Sequence, residues 1–460
     1  MTFAEWKVWF RRLPGVIKWF VLLILIRPVT DNFYYLKDIS PFISPLYILG
    51  VLIPILVLLS LNSRGLPRKR PSAIDLTFNL FAALFFSQAL ILLIFNGTLD
   101  AIGNTIQYVT PIFLFFYLRR VLSDPSHLNG ILQTFFISAS ISIVLIPVTI
   151  IFGSNSFQQI SQGRGGGFRF HGGYADMMNY AIYITGAFLI LGFFFLQSVE
   201  DTQRQRLARR RLLLFLPIGV GSLYAIKHTA SWAVFIMLFG LFLVFAITSR
   251  KAQPLVLVLL LTGALAGQML IEKQLTSLVR KEVRVIEGEA EVERSFNGRM
   301  RRWKRYFASW QDMGFFAKIF GTPLSYLERS SLQALAGGAP DPAEKVPIMV
   351  SGGMHSDYVR LIFLTGGSGL ILYFLFIVGI LKRGVKFRRD QRFLIFGAVL
   401  VVVFYSISTN PLLYQPMMNY ILTIFAFACV PPRWAKRVTV LRTRMKDIPL
   451  PNKLDPVPES

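Results

Sequence analysis

Apolar runs of about twenty residues recur along almost the whole of this 460-residue chain. A helix rises 1.5 Å per residue, so about twenty residues match the roughly 30 Å hydrocarbon core of a bilayer. The runs are continuous and do not alternate, which argues against a transmembrane barrel. Only 16% of the residues are charged and mean hydropathy is +0.54, whereas soluble domains carry roughly 25% charge. The pattern predicts an all-α polytopic membrane protein. Twelve spans are expected, at about 14–34, 41–62, 73–96, 99–118, 130–152, 176–197, 212–227, 230–248, 254–272, 358–381, 393–409 and 414–430. No small-residue cleavage site follows the run near Trp19 to Ile26, so no removed signal peptide is expected. The single cysteine, Cys429, lies in the last run and allows no disulfide within the chain.

The net charge of +25 invites a nucleic-acid reading. Basic residues flanking cytoplasmic span ends explain it better, and no nucleic-acid-binding motif is present. With the N-terminus in the cytoplasm, 30 of the 49 Lys and Arg fall at cytoplasmic ends. Short external connections hold five: Arg27, Lys37, Arg164, Arg169 and Lys227. The other 14 lie between 271 and 360, and long translocated segments escape the charge rule. Both termini are therefore expected inside, with the long segment outside.

This divides the chain into spans one to nine (1–270), a large external loop (271–357), spans ten to twelve (358–432) and a tail (433–460). The tail is basic and then Pro-rich, as in a disordered end. Within the loop, 273–295 suggests an exposed helix. Trp303, Phe307 and Trp310 are spaced to share one side of an amphipathic helix lying at the membrane interface. Gly321-Thr322-Pro323 should turn the chain, and 335–354, rich in Gly, Pro and Ala, reads as a mobile loop.

Three of the four histidines, His171, His228 and His355, fall at external span ends among basic residues. Such a surface suits an anionic lipid-linked substrate. A diphosphate needs Arg or Lys donors, and a hydroxyl nucleophile needs a nearby base, most often His. The run Gly165-Gly166-Gly167 allows close backbone approach to phosphate or sugar. Each signal also has an ordinary reading. Arginines at span ends snorkel to headgroups, glycine runs make linkers, and tryptophans anchor at interfaces. No paired-His spacing or Cys cluster of ligand type appears, and no metal or other cofactor is expected.

Four stretches together resemble the O-antigen ligase / Wzy polymerase superfamily of bacterial inner-membrane glycan transferases. They are Gly298-Arg299-x-x-x-Trp303, Ile319-Phe320-Gly321, His355-Ser356-Asp357-Tyr358, and Thr365-Gly366-Gly367-Ser368-Gly369-Leu370. The resemblance implies a GT-C-like fold with one large periplasmic loop between helices 9 and 10. It implies a metal-independent, inverting transfer in which an acceptor hydroxyl attacks a glycan on undecaprenyl diphosphate. By carry-over, His355 would activate or orient the acceptor and Arg299 would bind the leaving diphosphate. Lys227, Arg164, Arg169, His171, Arg302, Asp357, Arg360 and Arg27 are candidates for holding diphosphate or glycan. Trp232 stands where many members have an Arg.

Polymerase and ligase share this chemistry and differ in acceptor: another lipid-linked repeat unit, or lipid A–core. His355-Ser356-Asp357-Tyr358-Val359-Arg360 and Arg27-Pro28-Val29-Thr30-Asp31 look more like exopolysaccharide polymerases. Expected partners are the lipid-linked donor, the acceptor, the bilayer and a chain-length regulator. The alternative of another class is a lipid-linked glycan transporter, although the late external loop and the lack of matching halves fit one poorly.

Overall fold

The computed structural model of the chain describes residues 2–30, 52–53, 55–60, 73–95, 99–152, 160–162, 168–170, 177–198, 202–226, 228–247, 303–304, 306–308, 310–321, 325–328, 345–348, 356–408 and 415–431. Its elements are α1 (Phe3–Arg11), α2 (Gly15–Thr30), α3 (Ala73–Phe95), α4 (Leu99–Val121), α5 (His127–Phe152), β1 (Ile160–Gln162), β2 (Phe168–Phe170), α6 (Met177–Gln197), α7 (Thr202–Ile226) and α8 (Thr229–Ile247). There follow α9 (Phe315–Phe320), β3 (Ser325–Glu328), β4 (Lys345–Ile348), α10 (Asp357–Gly384), α11 (Arg389–Ser408) and α12 (Gln415–Ala428). Helices overlie ten of the twelve expected spans. The span at 254–272, most of that at 41–62, the stretch 273–302 and the tail lie outside the described residues.

Among the described residues, five helices are long and apolar enough to cross a membrane: Ala73–Ile91, Met178–Gln197, Ala230–Ile247, Asp357–Gly384 and Arg389–Ile407. α6 is the axis of the bundle, with every residue of its apolar window buried. It packs against α5, α7, α8, α11 and α12. A helix that is apolar all round belongs in an interior. α3 and α8 are peripheral and turn Leu76, Leu80, Leu90 and Ile94, or Ile236, Val244 and Ile247, outward. Exposed aliphatic rows on helices of this length are what hydrocarbon chains cover. Aromatic rings knit the layers. Phe78, Phe115 and Phe376 join α3, α4 and α10, and Phe188, Phe235, Phe242 and Phe393 join α6, α8 and α11.

Side-chain contacts sort the helix ends into two groups. At one end, the lower, Asp75 opens α3 and Arg119 closes α4, and the two form a forked pair at 2.7 and 2.8 Å. Arg119 also reaches the Ala426 carbonyl of α12. The pair makes α3 and α4 an antiparallel hairpin, as their short link requires. Its side chains are only 14% and 11% exposed, and removing one partner of such a pair strands a charge. We expect Arg119→Met to cost about 3 kcal/mol, read as a lower melting temperature in detergent. Adding Asp75→Asn should recover most of the loss.

α2 shows how a proline is accommodated. Pro28 has no N–H to give to Ile24, one turn earlier. Ser138 of α5 donates its hydroxyl to that Ile24 carbonyl instead, at 2.8 Å. A freed carbonyl inside a membrane bundle needs such a partner.

α1 was not expected. Thr2 and Glu5 form a reciprocal capping box. Glu5 pairs with Arg204 of α7. Trp6 donates to Thr134, and Trp9 donates to Nδ1 of His127 at 3.3 Å. Burial lowers the His127 pKa from its usual 6.5, with Asp124 opposing the shift. A protonated Nδ1 cannot accept from Trp9. Unfolded or undocked, the imidazole takes its proton near 6.5; docked, it does so only at lower pH. Its contribution is therefore present above about 6.5 and is lost as pH falls below that value. We expect trypsin to cut α1 faster at pH 5.5 than at pH 7.5 once each rate is divided by that for an unstructured peptide at the same pH, and His127→Phe to abolish the difference.

Basic side chains gather at this lower end. Lys7, Arg11, Arg12, Lys18, Arg119, Arg120, Arg204, Arg206, Arg209, Arg210, Lys382, Arg383, Lys386, Arg388, Arg389 and Arg392 all belong to it by their helix positions.

Candidate functional site

The upper end of the bundle holds the start of α10. Ser356 precedes the helix in an extended conformation and donates its hydroxyl to the Ser406 carbonyl, near the end of α11, at 2.9 Å. Two residues on, Tyr358 donates to the Val403 carbonyl at 3.0 Å. α10 thus begins bolted to α11, immediately after His355 in the sequence.

The first turn of α10 carries an ion pair, Asp357 to Arg360 at 2.6 Å. The side chains are 0% and 2% exposed. A carboxylate suits a helix N-terminus, where the peptide dipoles favour negative charge. Buried charges persist only when paired and hydrogen-bonded. Both residues are candidates for substrate contact from the sequence, and both are buried in this structure.

Nine residues further on, α10 breaks at Gly366, whose φ is +63°. Those residues rise about 13 Å. α9 docks into the break. Ser368 donates to the Ile319 carbonyl at 2.7 Å, and Gln88 of α3 donates to the Phe320 carbonyl at 2.7 Å. Gly321 adopts φ +80° against the backbone of Leu364 and Thr365. A Cβ on either glycine would collide with the other segment's backbone. Ile319-Phe320-Gly321 and Thr365–Gly369 are therefore one structural unit. Phe315 and Phe316 on α9 are 71% and 75% exposed, so α9 sits well below the first turn of α10 with aromatic rings facing outward.

The chain before α9 is helical over 303–304, 306–308 and 310–311. The expected stripe of Trp303, Phe307 and Trp310 needs correction. Trp303, Tyr306, Trp310 and Met313 are the residues packed against the core, and Tyr306 meets Phe363 edge-on. Phe307 points out. Spacings of three and seven fit a helix face as well as four and seven do, and the contact with α10 decides between them. The Lys318 ammonium lies 6.0 Å from the Trp310 ring centre.

A second polar chain crosses the upper half of the bundle. Tyr405 of α11 donates to Ser231 of α8 at 3.0 Å. Ser231 Oγ lies 2.8 Å from Nδ1 of His228, which also receives the Ser231 backbone N–H at 3.3 Å. Thr185 of α6 lies 3.5 Å from the Tyr405 oxygen. Nearby, Tyr180 and Ser222 join α6 to α7 at 2.8 Å. None of these hydroxyls was singled out from the sequence, although hydroxyls inside apolar runs signal interior-facing positions.

Of the candidate site residues, Arg27 is buried in the last turn of α2. Arg169 has its backbone in β2, opposite Ser161 of β1, and β2 lies against α7. The Gly165–Gly167 run falls in the connection between those strands. β4 pairs with β3, Lys345 opposite Glu328 and Ile348 opposite Ser325, so part of the expected mobile loop is a hairpin strand. His355, Arg299, Arg302, Lys227, Arg164 and His171 lie outside the described residues.

No protein-family model matches the chain, and no curated protein matches it in sequence.

Proposed function

We propose that this chain is a bacterial inner-membrane polysaccharide polymerase. It joins oligosaccharide repeat units carried on undecaprenyl diphosphate, at the periplasmic face. In the step, the acceptor hydroxyl attacks the anomeric carbon of the donor glycan. The bond to the diphosphate breaks, and undecaprenyl diphosphate leaves with the electron pair. His355 takes the hydroxyl proton, and Arg299 holds the departing negative charge. The configuration at the anomeric carbon inverts, and no metal takes part.

The observation that supports this reading is the docking of Ile319-Phe320-Gly321 into the break of α10 at Thr365–Gly369. Two of the four stretches that carry the resemblance thereby meet on α10, the helix that a third, Ser356-Asp357-Tyr358, opens. The basic lower end supports the orientation, because cytoplasmic ends collect Lys and Arg. With that end inside, the start of α10 faces the periplasm. Lys227, Arg164, Arg169, His171, Arg302, Asp357, Arg360 and Arg27 remain the proposed set from which diphosphate and glycan contacts come.

The test is the full-length protein in nanodiscs with an undecaprenyl-diphosphate-linked repeat unit, with products resolved on a gel, with and without chelator. A ladder of lipid-linked polymer, unchanged by chelator, is the expected result. Transfer only when lipid A–core is supplied would make the protein a ligase. No transfer, with lipid-linked glycan moved across the bilayer instead, would make it a transporter.

A further inference from the structure

α10 is long and apolar enough to cross a membrane, and it marks its own lipid-facing side. Ile371, Phe374, Leu375 and Val378 are exposed, and their spacing makes them one stripe. The stripe begins at Ile371, because no residue of α10 from Asp357 to Leu370 is exposed. Continued upward it would run through Gly367, Ser368 and Leu364, and those are the positions that α9 covers. Ser368 donates to the Ile319 carbonyl. Gly321 abuts the backbone of Leu364 and Thr365, and a Cβ on Gly367 would meet the Lys318 carbonyl. α9 therefore stands over the upper part of the stripe and turns Phe315, Phe316 and Phe320 outward in its place.

α3 fixes the level of this contact. Gln88 donates to the carbonyls of Phe320 at 2.7 Å and Gly321 at 3.4 Å. It lies seven residues before the upper end of α3, which is about 10 Å down. Leu90 and Ile94 are exposed above it on the same membrane-crossing helix. The apolar outer surface of the bundle thus extends above the level at which α9 ends.

The backbone of α9 is provided for accordingly. A helix end leaves carbonyls without intrahelical partners. Water would serve them outside the membrane, whereas in hydrocarbon each needs a partner from the protein. Ile319 receives Ser368, and Phe320 and Gly321 receive Gln88. Gln88 is only 6% exposed, and a polar side chain within a span is expected to pair with backbone in this way.

We propose that α9 is inserted in the bilayer and that its outer face is covered by acyl chains of the upper leaflet. Phe315 and Phe316 lie about 5–10 Å below the headgroup boundary, and the exposed Gln311 and Asp312 stay at the headgroups. The chain between α8 and α10 is thereby held to the membrane at a point between its ends. This contact with lipid is independent of the reaction proposed above.

The test uses the full chain in nanodiscs with Cys429→Ala, so that each introduced cysteine carries the only nitroxide. Reporters are placed by Asp312→Cys, Phe315→Cys and Phe316→Cys. Ala83→Cys, Leu90→Cys and Ile94→Cys, all at exposed positions of α3, calibrate depth. Collision with oxygen, which concentrates in hydrocarbon, is compared with collision with a nickel chelate, which stays in water. We expect oxygen-to-nickel ratios at Phe315 and Phe316 between those at Ile94 and Ala83, and a lower ratio at Asp312 than at any of them. High nickel collision at Phe315 and Phe316 would place α9 in water and overturn the proposal. Low collision with both reagents there would mean that protein, from this chain or a second copy, covers the rings, and would overturn it equally. Should the nitroxide variants not fold, Phe316→Trp is the gentler reporter. Lipids brominated at mid-chain should quench the fluorescence that it adds to the parent, and an added signal that they leave unquenched overturns the insertion of α9.

Discussion

His355→Ala is expected to reduce polymer formation by about 10²–10⁴-fold, the usual contribution of a positioned proton acceptor. The protein should still insert and keep its melting temperature. The reason lies in how the following residues are held. Ser356 is fixed to the Ser406 carbonyl, Tyr358 to the Val403 carbonyl, and Asp357 to Arg360. The backbone on the C-terminal side of His355 is thereby anchored without any contribution from the imidazole. Arg299→Ala should cost about 10²–10³-fold, the scale for losing one preorganised contact to developing charge. Arg299→Lys should be nearly as poor, because an ammonium cannot fork to two phosphate oxygens. The measurement is the rate of ladder formation from a defined lipid-linked repeat unit, normalised to the amount of folded protein. Near-normal transfer by Arg299→Ala would overturn the leaving-group assignment. Near-normal transfer by His355→Ala would move the acceptor-activating role elsewhere.

The sequence announced the helices because apolar length is a one-dimensional property. α3, α6, α8, α10 and α11 begin and end within a few residues of the expected spans. The tight links between α3 and α4 and between α7 and α8 were legible too. α1 was overlooked although its start carries the Ser/Thr-x-x-Glu pattern, here Thr2-Phe3-Ala4-Glu5. The side of the 303–313 segment facing the core was misjudged because a short aromatic-rich helix offers two plausible stripes. Only the packing of Tyr306 on Phe363 separates them. Burial of Asp357 and Arg360 was also hidden. Spacing three apart on a helix says they are neighbours, and their burial depends on tertiary packing that no local spacing carries. The His228 chain needed three helices to exist at all. Its members are 43 to 220 residues apart except for the last pair, Ser231 and His228, and no local pattern could have joined them.

Gly366→Ala should be strongly destabilising. At φ +63° and ψ −169°, a backbone region nearly reserved for glycine, a residue with a Cβ costs about 1–3 kcal/mol. The added carbon would also press on the Ile319 carbonyl and the Gly321 nitrogen, and such overpacking costs about 1–3 kcal/mol. Backbone atoms cannot rotate away as a side-chain tip can, so the strain falls on the docking of α9. We expect a loss of about 2–6 kcal/mol on these two terms. The bond from Ser368 to Ile319 and that from Gln88 to Phe320 should open, because both depend on the same close approach. Gly367→Ala is the control. A Cβ there meets nothing closer than the Lys318 carbonyl at 3.8 Å, so stability and transfer should stay within experimental error of wild type. An Ala317→Cys reporter labelled with an impermeant maleimide reads the docking directly. Labelling should be slow in the parent and fast with Gly366→Ala, while α10 and α11 keep their protection from proteolysis. Transfer should fall at least tenfold with Gly366→Ala, since the break in α10 sets how the chain before α9 approaches the residues that open α10. Slow labelling together with normal transfer would mean that α10 tolerates the methyl. The two glycines would then be a packing convenience and no part of how the loop is held over the site.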